Sequence, residues 1–151
     1  MQYVTFQVGE LLCGADVHSV QEVLRHQTLT PVPLAAAVTP GLIHLRGQIL
    51  TAIDLRAVFD LPARETDRAP VCVIVQEHDS GGSLVVDRIG EVLEVADEEI
   101  RATPSHWSGA TREYLRGVVD HSNELLLLLD AGKLLAIQGG PDEGPSDLNG
   151  I

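Results

Sequence analysis

A mainly β chain, folded as two related small barrels around a shared aliphatic core with a few short helices, is what the sequence predicts. Three observations carry that prediction. Apolar and polar residues alternate in short runs broken by turn residues, as in "YVTFQV" and "IGEVLEV". A unit of strand, two-residue turn, strand, aspartate and short helix occurs twice, at a shift of 76 residues. Hydrophobic residues make up 44% of the 151 positions but aromatic residues only 3%, so a core is affordable and must be aliphatic.

Along the chain, Val4, Phe6 and Val8 alternate with Thr5 and Gln7, the pattern of a half-buried strand. Gly9-Glu10 turns into a second short strand, Leu11 to Ala15. Asp16 can cap a short helix over "DVHSVQEVLR", in which Val17, Val20, Val23 and Leu24 form an apolar stripe. "TLTPVPLAAAVTPG" carries three prolines and predicts an extended connector. "PGLIHLRGQILTAIDL" is two apolar runs joined at Arg46-Gly47, a hairpin, and "LRAVFDL" follows as a short helix after Asp54. Residues 62–70 are polar and proline-bounded, a surface loop. Val71 to Gln76 and Ser83 to Val86 are strands around "HDSGG"; "IGEVLEV" is a further strand and "ADEEI" an acidic turn.

"TPSHWSGATREYL" is a loop with one helical turn. Leu115 to Val119 and Leu125 to Leu129 form a hairpin through Ser122-Asn123, and "AGKLLAI" is a last short helix. The repeat places Gly41 on Gly117, Arg46-Gly47 on Ser122-Asn123 and Asp54 on Asp130. Residues 138–151, "QGGPDEGPSDLNGI", have the Gly, Pro and acid content of a flexible tail. About ten short, evenly spaced strands and about three short helices favour small barrels over a parallel sheet.

Net charge is -12, which argues against nucleic acid and against an anionic membrane surface as partners held by bulk electrostatics. Nine of the ten cations are arginine, a residue suited to bidentate contacts at interfaces. Cys13 and Cys72 fall within apolar runs and are expected as buried thiols, not a disulfide or metal pair. The start "MQYVTFQV" enters a strand pattern without a signal sequence, and no apolar run is long enough to span a bilayer, so a cytoplasmic location is expected.

The sequence holds no GxGxxG, GxxxxGK[ST], HExxH, GxSxG or CxxC, and its six histidines lack ligand spacing. No cofactor is expected. Asp54, Asp87, Asp120 and Asp130 each follow an apolar strand. Converging at strand ends they could form an acid/base pair or a Mg²⁺ site. The plainer reading makes Asp54 and Asp130 helix caps and Asp87 and Asp120 turn initiators.

In this order and spacing, "YVTFQVGELLCGADVHSVQEVL", "PGLIHLRGQILTAIDLRAVF", "GSLVVDRIGEVLEV", "LRGVVD" and "LLLLLDAGKLL" resemble the CheW family of chemotaxis coupling proteins. The resemblance covers residues 3–136 and implies one CheW-like domain over 1–137, a pair of five-stranded SH3-like barrels. It implies a non-enzymatic adaptor joining the cytoplasmic tip of a chemoreceptor to the regulatory domain of the histidine kinase CheA, without direct membrane insertion. In the family the short helix and the LRG hairpin face the receptor; Val20, Glu22, Gly41 and Arg46 occupy the matching positions, and Arg46 is expected either to meet a partner or to hold Glu22 so that Val20 and its neighbours present a defined surface. His44 stands where the family has asparagine, and the first turn reads "GEL" in place of "GDE". A CheW-like scaffold of a non-flagellar pathway, serving pilus motility or a second messenger, and a small metal-dependent enzyme using the strand-end acids are the alternatives.

Overall fold

The computed structural model describes residues 1–25, 28–64, 70–107 and 109–138. The chain enters as β1 (Gln2–Val8) and β2 (Leu11–Asp16), paired antiparallel across the Gly9-Glu10 turn. Asp16 then caps a single 3₁₀ turn, Val17–Ser19, by accepting from the His18 N–H at 2.9 Å. The helix expected over 16–25 stops there. Val20–Arg25 is a strand, β3, paired antiparallel to β7 (Val71–Glu77) from Val20↔Val75 to Arg25↔Val71. The spacing of Val17, Val20, Val23 and Leu24 fits a helix. The wholly apolar run "VCVIV" of β7 needs a backbone partner, and the β-branched Val20 and Val23 suit that role.

A two-residue strand β4 (Thr30–Pro31) leads to the hairpin β5 (Gly41–Leu45) and β6 (Gln48–Asp54), then α1 (Leu55–Val58). The second part of the chain runs β7, β8 (Ser80–Val86), β9 (Arg88–Glu94), a 3₁₀ turn at Asp97–Glu99 and α2 (Gly109–Glu113). It ends in the hairpin β10 (Leu115–His121) and β11 (Glu124–Leu129) with α3 (Ala131–Leu135). The β7–β8 turn is tighter than expected, only His78-Asp79, because Ser80 already pairs with Glu77. Residues 139–151, nearly all of the expected tail, lie outside the described residues.

The strands form two sheets, ordered β10-β11-β2-β1-β9 and β3-β7-β8-β6-β5-β4. Both hairpins of the 76-residue repeat hold the same place. β6 runs parallel to β8 through Ala52↔Ser83, and β11 runs parallel to β2 through Leu128↔Gly14. Asp54 N–H donates to Val38 O at 2.9 Å, and Asp130 N–H to Tyr114 O at 2.8 Å. The equivalence extends to the other strands at an offset of 69 residues: Val20↔Val75 and Val23↔Val73 correspond to Ile89↔Phe6 and Val92↔Val4. Each sheet therefore takes strands from both parts of the chain. β9 completes the sheet begun by β1, and β3 completes the sheet that contains β7.

The main core, including Phe6, Cys13, Ile53, Leu84, Leu127 and Leu134, is a single cluster fed by both sheets. Tyr3, Leu126 and Leu128 anchor a satellite cluster on one sheet; Ile43, Ala52 and Cys72 anchor its counterpart on the other. Both cysteines are buried free thiols, and burial pushes the Cys13 pKa up to about 12.

Candidate protein-docking site

Arg46 and Gly47 form the two-residue turn of β5–β6 with φ of 51° and 84°. Two successive positive φ values match the twist of the flanking strands. Asparagine and glycine adopt that backbone at low cost and arginine does not. The guanidinium explains its presence. Arg46 Nη1 donates to Glu22 Oε1 at 2.6 Å and Nη2 to Glu22 Oε2 at 2.9 Å, a bidentate pair between residues 24 positions apart. Glu22 reaches the turn from β3, just past a register shift between Val20 and Glu22. The hydrogen bond from Arg46 holds the Glu22 carboxyl below the usual carboxylate range and raises Arg46 in turn. The Arg46 side chain stays mostly exposed, so the pair fixes a shape on the surface and adds little stability.

Of the four residues singled out by the resemblance, the fold joins Glu22 and Arg46 directly. Val20 lies in the same strand as Glu22, half-buried against the main core. Gly41 sits at the far end of β5, about 15 Å of strand away from the turn. A Cβ there would stand 2.5 Å from Thr30 O. Gly41 is thus required for space, not for a special backbone angle, and the requirement recurs at Gly117, where a Cβ would stand 2.7 Å from Arg101 O. The receptor-facing helix implied by the resemblance is strand β3 in this chain.

Ile49, expected in the core with Leu42, Ile43, Leu45, Leu50 and Ile53 of the same hairpin, is at the surface instead. It is 61% exposed and lies two residues past Gly47, opposite the exposed His44. An apolar run does not show which of its residues the fold covers. The exposed apolar side chain of Ile49 joins Arg46 on the surface of this hairpin.

The strand-end acids have structural partners. Asp54 and Asp130 cap α1 and α3, accepting from Arg56 N–H and Lys133 N–H at 3.1 Å. Asp120 lies within β10, not at the start of a turn, and pairs with Arg101 at 3.0 Å. Asp87 is the hub of a cluster absent from the sequence reading. It accepts from the Gly9 N–H at 2.6 Å, from Arg56 Nε and Nη2, and from Arg64 Nε at 3.0 Å. Burial raises the Asp87 pKa, but these donors outweigh it and hold the carboxyl at about 2. The cluster ties the β1–β2 turn, α1 and the end of β8 together. No group of three or more His, Cys, Asp or Glu side chains placed to hold a metal occurs among the described residues.

A model of the CheW-like domain matches residues 2–138. The chain belongs to the CheW-like family. Within the family, the chain is 34% identical to the chemotaxis protein CheW of Treponema pallidum, over 89% of this chain and 82% of that one. It is 32% identical to the protein FrzA of Myxococcus xanthus, over 89% and 84%. Among solved structures, the scaffolding protein TtCheW of Thermoanaerobacter tengcongensis superposes with a TM-score of 0.76 at 25% identity, covering 85% of this chain and 88% of that one. The CheW-like fold and relatives make the chain a scaffold of chemotaxis signalling. No helix among the described residues is long and apolar enough to cross a membrane.

Proposed function

We propose that the chain couples the cytoplasmic tips of chemoreceptors to the regulatory domain of a CheA-type histidine kinase. In this reading Val20, Glu22 and Arg46 form the receptor-facing surface, and Gly41 shapes the hairpin that carries it. The observation that supports this most is the Glu22–Arg46 pair. An arginine occupies a left-handed turn position that other residues fill more cheaply, and its guanidinium is spent on a surface carboxylate of β3, three places from β6 in the sheet order. A stability role is too small to explain that choice. A partner that reads the fixed guanidinium and carboxylate does explain it, since an interfacial arginine contributes far more once a partner removes water from it.

The test is a pull-down of receptor signalling fragments and of the kinase regulatory domain, separately, with Val20→Ala, Glu22→Ala and Arg46→Ala. Receptor binding should fall about tenfold or more with Arg46→Ala. Kinase binding should survive better. Undiminished binding of both partners would return Arg46 to the status of an ordinary turn residue.

A further inference from the structure

The offset that maps β3 onto β9 places Glu22 on Glu91, and the repeat places Arg46 on Ser122. The second sheet therefore keeps the carboxylate and lacks the guanidinium. Glu91 makes no ion pair among the described residues, and its backbone oxygen is fixed by the Thr5 hydroxyl at 2.6 Å. At this corner lies a groove of about 440 Å³, lined in part by Gln7, Arg88, Glu91, His121 and Glu124. Two carboxylates, Glu91 and Glu124, line this groove with a single arginine, Arg88, which pairs with neither acid. A groove of that balance calls for a flat cation with several N–H donors, and a guanidinium is such a group.

Beyond the receptor and kinase coupling proposed above, we infer that this groove docks an arginine-bearing loop of a protein partner. The incoming guanidinium takes on Glu91 the place that Arg46 takes on Glu22. Serine at position 122 leaves that place open, and the Ser122-Asn123 turn, with φ of 47° and 69°, has the same backbone as Arg46-Gly47. The chain thus satisfies one of two equivalent carboxylates from within and leaves the other to a partner.

The experiment is a ¹H–¹⁵N titration of the full chain with N-acetyl-arginine methylamide, against N-acetyl-citrulline methylamide, which has the same shape without charge. Saturable shifts at Gly90, Glu91, His121 and Glu124 are expected with the arginine compound, in the millimolar range of a single exposed contact. Glu91→Gln should weaken them severalfold. Ser122→Arg should abolish them, because the new side chain fills the place in cis, where the same backbone already carries Arg46 in the first hairpin. Arg46→Ala should leave them unchanged, so this result stands apart from the receptor-coupling reading. The inference fails if no saturable shift appears at these residues, if citrulline shifts them equally, or if Glu91→Gln binds as tightly as the original chain.

Discussion

The hairpins β5–β6 and β10–β11 share a turn backbone, a parallel partner strand, a capping aspartate and a crossing chain at the opening glycine. Their side chains have diverged. β11 reads "ELLLLL" and buries Leu126 to Leu129; β6 reads "QILTAID", with Ile49 exposed and Leu50 and Thr51 only half-buried. Leu128 and Tyr3 fill one satellite core where Ala52 and Cys72 fill the other. One copy has become ballast for the fold, and the other is loosely packed and presents Arg46 and Ile49 to solvent. The lesson is physical: shared backbone geometry fixes where side chains can go, and burial decides which copy is free to meet a partner.

The widest gap between the copies should appear at equivalent positions Leu127 and Thr51. Leu127→Ala should cost about 3 kcal/mol in chemical denaturation, and Thr51→Ala under about 1 kcal/mol. Equal losses would mean that the hairpins are packed alike. The opening glycines should behave identically instead. Gly41→Ala and Gly117→Ala each force a methyl against a backbone carbonyl and should each cost about 1–3 kcal/mol. Gly41→Ala that keeps full stability yet loses receptor binding would make Gly41 a contact residue.

Asp87 has no counterpart at the other corner, since the offset of 69 places His18 there. Its carboxyl titrates at about 2 when folded, against 3.8 for an unperturbed aspartate. A depressed folded pKa contributes stability that is complete above about pH 4 and lost as pH falls toward 2. Allowing for solvent screening, the contribution is about 1–2 kcal/mol. Asp87→Asn should therefore lower stability by about that amount at pH 7 and flatten the acid limb of a pH-stability curve. An unchanged limb would place the acid sensitivity elsewhere. The smallest effect belongs to Arg46→Ala, whose melting temperature should stay within about 2 °C of the original; a larger drop would make the ion pair structural.

Strands, two-residue turns and capping aspartates were legible because each rests on neighbours in sequence: Arg46-Gly47, Ser122-Asn123, Asp54 and Asp130 all occupy the expected roles. Residues 20–25 were not, because Val17, Val20, Val23 and Leu24 satisfy a helical spacing and only β7, some fifty residues on, settles the matter. The Asp87 cluster was invisible for the same reason: Arg56 sits in a helix, Arg64 in a loop and Gly9 in a turn, with no common spacing. The site came from the resemblance, which named Glu22 and Arg46 and left Arg46 either to meet a partner or to hold Glu22; the bidentate pair meets the second, and the crossing Thr30 explains Gly41 by space.

The exchange of strands between the two sheets has a consequence for the chain as it leaves the ribosome. β1 and β2 emerge first, yet their outer neighbours are β9 and β11, the latter more than a hundred residues further on. At about 5–20 residues per second the first hairpin waits on the order of 5–20 s with both edges unpaired. β3 likewise waits for β7. Neither sheet can finish while the chain is still growing through its middle, so folding is dominated by distant pairings, which are slow to form. The same interleaving means that cutting the gene in two yields fragments that each lack strands from both sheets.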